Sequence, residues 1–514
     1  LLFPHLLYYF MFQTPPANDF CVYQPRALLR FFALIQEGCL PLWSPLLYGG
    51  MSANFEHALS QAFSPITWLY AIFPETFNGN ILTVMLHFKL FLLGCGGIWA
   101  YLFFHRISGV RIASIFGALT FMFNFRMLDN LRYATPLEIL VLLPLLILLI
   151  EGWLKEQSAW RYWLYPIVLG IMLMSGHPQH SLYNLLFVSI YFLSRLFFLA
   201  KPSAEPPLEK HSDFKRFQLK PLFMFAGMNL LGIALAAPLL LPFKMDVIPQ
   251  LYRRILEDVT RGDQHKLDLV SGVMSFIFPW FADVHSNFYT HISLCFFLFI
   301  AIRILFERIE YSQEQRFFLL FFLLFFGFTL LYSLGSSAFI SSWISYLIPP
   351  LKSTRVHGRI LGTGVFCLSG VIVFVLQWIE QNYQLKKKIE IFPYRKFGIY
   401  FIGGATLGIL LLFSVVIAVC WSQDFFGIQH IYASENNFLY FLGGYLTFFI
   451  FQNDSPVFIY ANSKMFIWQM LSFVLFSTVA LYAFYLLLSG NPLRKKTALL
   501  ILFFLILLET RFYH

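Results

Sequence analysis

The sequence predicts an all-α polytopic membrane protein with about 13 transmembrane helices. Of the 514 residues, 59% are hydrophobic and only 12% are charged, whereas a soluble domain carries about 25% charged residues. The 64 phenylalanines are too many to bury inside a water-soluble globule of this size. This composition excludes a soluble enzyme, a disordered chain, a collagen-like fibre and a secreted disulfide scaffold.

Apolar runs that are long enough to cross a bilayer, or nearly so, set the predicted helices. They lie at 1–12, 80–104, 112–125, 137–152, 162–175, 181–200, 221–243, 288–306, 317–334, 357–379, 397–420, 466–489 and 497–508. The first and last runs are short for a span, so we expect a piece of a longer protein. We divide the chain into a transmembrane core, 1–379, and C-terminal helices, 380–514, with an outer loop at 421–465. The Phe-rich stretches are expected to face lipid, although the run from Phe317 to Leu331, which is hydrophobic all round, fits either a lipid-facing or a fully packed helix.

The distribution of Lys and Arg predicts which loops share a side. Loops 105–111, 153–161, 201–220, 303–316, 380–396 and 490–496 hold 20 of these residues in 74 positions. The alternate loops hold only 14 in more than twice that length. The basic set is therefore predicted to be cytoplasmic. Because the charge is divided among short loops, a nucleic-acid surface is not expected.

The first outer loop, 13–79, carries the most distinctive pattern. Asp19 follows the first apolar run at the membrane boundary, and a stretch from Arg26 to Glu37 has the polar stripe of a helix lying in the interface. A Pro- and Trp-containing turn comes next, and then a second apolar stretch, 62–73, that is too short to cross. From the residues alone, a helix cap or a solvated loop residue explains Asp19 as well as a catalytic or metal-binding role does.

This layout resembles the GT-C superfamily of membrane glycosyltransferases, and more closely the bacterial YfhO-like membrane proteins. The motif that carries the resemblance consists of Asp19, Gln24, Pro25, Gly38, Pro41, Trp43, Pro45, Gly49 and Gly50. Weaker matches are Gly176 to Gln179, Pro242, Arg253, Arg254, Tyr289, Arg355 and Arg359.

The resemblance implies transfer of a sugar from a polyprenyl-phosphate carrier to a cell-envelope acceptor, on the outer face of the bacterial plasma membrane. Asp19 would be the general base that takes the proton of the acceptor hydroxyl. The leaving lipid phosphate needs cations or a metal ion to hold its charge. Whether a divalent cation takes part is left open, as is a bridge between Cys21 and Cys39.

Candidate substrate-binding residues are spread over the predicted outer loops. They are Gln24, Trp43, Asn54, His177, Gln179, His180, Arg253, Arg254, Arg355 and Arg359. The histidines suit a phosphate, a sugar hydroxyl or a metal ion, and the arginines suit a phosphate. The alternatives are helix-capping histidines, a solvated surface for Arg253 and Arg254, and snorkelling side chains for Arg355 and Arg359.

Two other functions compete with the transferase. A transporter or flippase of a lipid-linked molecule would place paired charges within the membrane, where Lys89 and Arg195 are the only strong candidates. A non-catalytic assembly protein would keep the fold without the reaction. Exchange of Asp19 for Asn separates these hypotheses, because only a transferase should lose turnover.

Overall fold

The structure is a computed structural model, and it describes about half of the chain. The described residues are 43–44, 51–52, 64–70, 81–132, 136–199, 219–242, 244, 312–335, 343–344, 357–384 and 492–513, with short helical pieces between 297 and 305 and between 475 and 487. Within them the secondary structure is almost entirely helical.

The helices are α1 (Pro65–Tyr70), α2 (Ile81–Ser108), α3 (Arg111–Met122), α4 (Phe125–Asp129), α5 (Pro136–Glu156), α6 (Ala159–Met174), α7 (Pro178–Leu199), α8 (Leu219–Leu235), α9 (Ala237–Pro242), α10 (Gln313–Ser333), α11 (Leu361–Gln384) and α12 (Pro492–Tyr513). Two 3-10 helices, Asn130–Arg132 and His357–Ile360, follow α4 and precede α11.

Several helices are long and apolar enough to cross a membrane. In the described part of the chain these segments are Phe88–Ser108, Pro136–Glu156, Pro178–Leu199, Gln313–Ser333 and His357–Gln381. Shorter apolar helices include Arg111–Met122, Ala159–Met174 and Leu219–Leu235. The chain is therefore a multi-pass helical membrane protein. The predicted runs at 1–12 and 397–420 lie outside the described residues, so the full number of spans stays a prediction.

The predicted first outer loop is described in two places. Trp43–Ser44 and Met51–Ser52 form a two-residue antiparallel pair, β1 and β2, in which Trp43 lies opposite Ser52. Strand pairing was not predicted here, although Ser44 precedes Pro45 and such a residue favours extended backbone. Helix α1 lies within the predicted short apolar stretch 62–73.

The chain divides into two compact units. The first comprises Leu1–Met122, Arg126–Lys266 and Ile309–Phe374, and the second comprises Phe123–Phe125, Leu267–Arg308 and Val375–His514. In the second unit, Phe297 packs edge-on against Phe484 at 5.0 Å between ring centroids. In the same unit, Lys495 donates to the carbonyl oxygen of Ile379 over 3.4 Å.

The core of the first unit is rich in phenylalanine. Phe366 is fully buried at its centre, and its ring centroid lies 5.2–6.2 Å from the rings of Phe103, Phe104, Phe121, Phe187 and Phe322. On α10 the phenylalanines from Phe318 to Phe326 are buried, whereas Leu320 and Leu324 are exposed. Of the two alternatives for this run, the structure favours the packed helix for the phenylalanines of α10, because aromatic rings fill the interior through edge and stacked contacts.

Helices α6 and α8 approach each other closely through glycines. A Cβ atom on Gly232 would lie 2.7 Å from Cδ2 of Leu169, and one on Gly170 would lie 3.0 Å from Cβ of Leu235. Small residues allow such close contact between apolar helices, where there is no water to drive association.

A buried ion pair joins α5, α7 and α10. Arg195 donates to both carboxylate oxygens of Glu151, at 2.9 and 3.1 Å, and Tyr191 donates to the same carboxylate at 2.8 Å. Arg195 also pairs with Glu314, and Lys155 lies 2.9 Å from that carboxylate. These contacts connect the ends of loops 153–161 and 303–316, which the Lys and Arg distribution predicts to share one side.

Candidate functional site

A sharp turn between α6 and α7 presents the first part of the site. Gly176 has a φ of 92°, which a residue with a Cβ rarely adopts. Pro178 occupies the first position of α7, where its missing N–H costs no helical hydrogen bond. Ser181 fixes the turn by donating its hydroxyl to the carbonyl oxygen of Met172 over 3.3 Å. His177 and His180 are thereby held at the start of a candidate span.

Arg359 reaches this turn from a distant part of the sequence. It lies in the 3-10 helix that precedes α11, and its Nη1 atom contacts His177 Nε2 at 3.0 Å. The same Nη1 donates to Oε1 of Gln179 over 3.1 Å. A guanidinium has only donors, so His177 Nε2 must accept. The contact therefore specifies a neutral His177 whose proton is on Nδ1.

Buried aromatic residues orient the side chain of Gln179. Its Nε2 donates to the Tyr183 hydroxyl over 2.8 Å. Tyr183 and Tyr332 are both buried and meet edge-on at 5.8 Å, and Tyr332 contacts the His357 ring at 5.3 Å. Because Tyr183 accepts from the amide nitrogen, the amide oxygen of Gln179 is oriented towards Arg359.

His180 adds a second imidazole to the cluster. It is buried, and its ring centroid lies 4.8 Å from that of His177. The guanidinium groups of Arg126 and Arg359 both act on it electrostatically. The Nδ1 atoms of both histidines are inaccessible to solvent and have no hydrogen-bond partner among the described residues. An orphaned polar atom of this kind costs about 1–3 kcal/mol, so a ligand atom placed there would stabilise the site.

The electrostatic environment favours negative ligands. Burial, and secondly the charge of Arg359, lower the pKa of His177 well below its ordinary value. Around the imidazoles lie the side chains of Arg359 and Arg126, the latter almost fully buried. We refer to His177, Gln179, His180 and Arg359 as the His–Arg cluster. It suits an oxyanion, which accepts hydrogen bonds and balances positive charge.

The structure brings together four of the eleven predicted site residues. His177, Gln179, His180 and Arg359 form one cluster, and they come from two loops predicted to share the outer side. For Trp43 only the backbone is described. Asp19, Gln24, Asn54, Arg253, Arg254 and Arg355 lie outside the described residues, and so do Cys21 and Cys39.

A metal centre finds no support in the described part of the chain. No group of three or more His, Cys, Asp or Glu side chains that could hold a metal ion occurs there. In the His–Arg cluster, the Nε2 atom of His177 already contacts the cationic guanidinium of Arg359. The divalent cation that the sequence left open therefore has no ligand set among these residues.

Two residues next to the His–Arg cluster, Tyr183 and Arg126, were not among the predicted site residues. Tyr183 lies one helical turn after Gln179, and i, i+4 positions share a helix face, so the sequence contained that indication. Arg126 is near in space but 54 residues away from His180, and no local pattern connects the two. Elsewhere in the first unit, the buried carboxylate of Glu138 acts on the buried ammonium of Lys89, and Glu138 was not predicted as its partner either.

Comparison of the chain with models of protein families, with characterised proteins and with solved structures gave no significant match. The fold and composition define the protein as a multi-pass helical membrane protein.

Proposed function

We propose that the protein is a membrane glycosyltransferase that moves a sugar from a polyprenyl-phosphate carrier to an extracytoplasmic acceptor. The observation that supports this most is the convergence of Arg359 on His177 and Gln179, where two candidate spans begin. A cationic cluster at a membrane boundary fits the phosphate of a lipid whose chain stays in the bilayer.

The reaction divides into two tasks. Asp19 removes the proton of the acceptor hydroxyl while that oxygen attacks the anomeric carbon. The bond between the anomeric carbon and the phosphate oxygen breaks, and the polyprenyl phosphate leaves with the bonding electron pair. The His–Arg cluster, with Arg253, Arg254 and Arg355 as further candidates, stabilises this negative charge. Gln24, Trp43 and Asn54 are proposed to contact the sugar.

A second candidate is a transporter of a lipid-linked molecule. The observation in its favour is the fully buried Lys89 with Glu138 as its acidic neighbour, since paired intramembrane charges mark many ion and substrate pathways. The Glu151–Arg195 pair favours transport less. It lies within two turns of the ends of α5 and α7 and next to the start of α10, so it is a boundary pair and not a midplane one.

Two substitutions test the transferase. Purified full chain in lipid nanodiscs is supplied with polyprenyl-phosphate-linked radiolabelled glucose or N-acetylglucosamine, and loss of label from the lipid is measured. Asp19→Asn is expected to lower turnover about 10²–10⁴-fold, the usual contribution of a general base. Arg359→Gln removes a charge-assisted contact of about 1.5–3 kcal/mol and is expected to weaken donor use about 10–150-fold.

The control is Arg111→Gln, which removes an exposed arginine at the start of α3. It is expected to leave turnover unchanged. If Asp19→Asn transfers sugar as fast as the unaltered protein, Asp19 is not the general base, and if the unaltered protein transfers no sugar, the transferase proposal is wrong. Undiminished movement of a fluorescent polyprenyl phosphate across the bilayer by that variant would then favour the transporter.

A further inference from the structure

The His177–Arg359 contact has a property that ordinary Arg–carboxylate pairs lack. Both partners are bases, and only one of them is protonated. Nη1 of Arg359 donates to His177 Nε2 at 3.0 Å, which requires an unprotonated Nε2. Protonation of His177 would place an N–H against an N–H and two positive charges side by side. The contact therefore exists only while His177 is neutral.

We propose that an oxyanion bound at Arg359 is taken up together with a proton on His177, so that the site binds anions more tightly as the pH falls. This rests on the anion-binding role given to the His–Arg cluster under the proposed function, and it adds the regulation of that site. The ligand class is a tetrahedral oxyanion, either the phosphate of a lipid headgroup or a free phosphate.

The exchange of contacts explains the linkage. Without an anion, the positive charge of Arg359 opposes a second charge on His177, and the imidazole serves as an acceptor for the guanidinium. An anion between the two neutralises Arg359 and accepts from both groups. Protonated His177 then offers Nε2–H in place of a lone pair, and Nη1 of Arg359 is released to the ligand.

The charged and titratable groups around His177 also favour its neutral form in the absence of an anion. Among the described residues, the titratable and charged side chains facing it are Arg359 from the 3-10 helix and His180 from α7. Arg126 from α4 in turn acts on His180. All are cations or bases, and the charge of Arg359 disfavours a proton on His177 until an anion arrives. Burial also lowers the pKa of His177 in the ligand-free protein.

The test measures binding of two probes whose charge does not change between pH 5.5 and 8. Sulfate represents a free oxyanion, and short-chain phosphatidylglycerol represents a lipid phosphodiester. Titration calorimetry on the full chain in detergent gives the dissociation constant at each pH. Repeating it in buffers of different ionisation enthalpy gives the number of protons taken up. We expect the dissociation constant to rise by up to about tenfold for each unit by which the pH is raised, with close to one proton taken up per anion bound.

Variants assign the proton to one side chain. His177→Gln keeps an oxygen that can accept from Arg359 but cannot titrate, so its anion affinity is expected to lose this pH dependence. Arg359→Gln should weaken binding of both probes about 10–150-fold. His105→Gln is the matched control, because His105 is a half-buried histidine that stacks on Tyr101 of its own helix. It should behave as the unaltered protein.

The outcomes separate this inference from the proposed function. Tight binding that is independent of pH, without proton uptake, overturns the linkage and leaves the anion site intact. Failure of both probes to bind at every pH overturns the linkage and the anion site together. An unchanged pH slope in His177→Gln overturns the assignment to His177. Should this variant fail to fold, proton uptake by the unaltered protein still decides the question. Preference for phosphatidylglycerol over sulfate supports a lipid-borne anion, and the reverse supports a free one.

Discussion

Exchange of Glu151 for Gln should destabilise the protein strongly. Glu151 and Arg195 both have side-chain exposures of 0%. The carboxylate accepts two hydrogen bonds from Arg195 and one from Tyr191. Glutamine keeps the size and one acceptor but removes the negative charge. The guanidinium would then remain buried with Glu314 as its only nearby carboxylate among the described residues.

The magnitude follows from what stays in place. Breaking a buried ion pair by removing one partner costs about 3–5 kcal/mol. Glu314 is 40% exposed, so it replaces only part of the lost attraction. The ring centroids of Phe198, Phe317 and Phe318 lie 4.9–5.7 Å from the guanidinium carbon of Arg195, and these cation–π contacts also stabilise its charge. We therefore expect a loss near the lower limit, about 3 kcal/mol.

A double-mutant cycle provides the assay. The free energy of unfolding is measured by titration with dodecyl sulfate in mixed micelles, followed by circular dichroism. Adding Arg195→Met to Glu151→Gln removes the uncompensated charge, so the double variant should recover about 2 kcal/mol relative to the single one. Glu156→Gln is the matched control. Its carboxylate pairs with Arg106 and Arg161 but is 49% exposed, so its loss should destabilise the protein much less than the loss of Glu151.

Two results would refute this reasoning. One is a loss for Glu151→Gln no larger than that of the exposed control. The other is a double variant as unstable as the sum of the two single variants, since the stabilisation would then not come from the pairing of the charges.

Two further predictions concern stability. Gly232→Ala should lower the free energy of unfolding by about 1–3 kcal/mol, because its Cβ would overlap Leu169. Gly227→Ala is the control: its added Cβ would meet no neighbouring atom within 4 Å, so it should be neutral or stabilise by up to about 1 kcal/mol. Equal effects of the two substitutions in the same unfolding titration would contradict the close approach of α6 and α8. For His177, the folded pKa lies below the unfolded value near 6.5. The unfolded state therefore binds the proton first, and the free energy of unfolding of the ligand-free protein should fall as the pH drops below about 6.5. His177→Gln should reduce this fall, and an identical pH profile in the variant would count against the lowered pKa.

Helix positions were largely predictable, because the length of an apolar run is set by the bilayer. The run 137–152 became α5, and 357–379 became the second 3-10 helix with α11. The ends were less predictable. Helix α5 continues to Glu156, past the end of its apolar run, and there Glu151 pairs with Arg195 on α7 and Lys155 with Glu314 on α10.

The two faces of an apolar helix could not be told apart from hydropathy. Leu324 is exposed, and its neighbours Phe322 and Phe325 are buried, although all three side chains are apolar. Lipid and protein interior are both apolar environments, so transfer free energy gives no preference between them. Ring size and packing decide instead, and these depend on the neighbouring helices.

The candidate site was predictable as a set of residue types but not as a cluster. His177 and Arg359 each stand in a predicted outer loop beside a span, which made both of them candidates. Their contact joins positions 182 residues apart, and no local spacing encodes that. Asp19, on which the proposed chemistry depends, lies outside the described residues, so its distance from the cluster stays a prediction.

Helix α7 holds the cluster at one end and Arg195 near the other, and the 16 residues from Gln179 to Arg195 correspond to about 24 Å of helix. A slip of one turn, about 5.4 Å, would break the bidentate contact with Glu151 and the contact with Arg359 at the same time. The depth of the lipid phosphate that is proposed to bind the His–Arg cluster would therefore be set in part by the ion pair near the other end of α7.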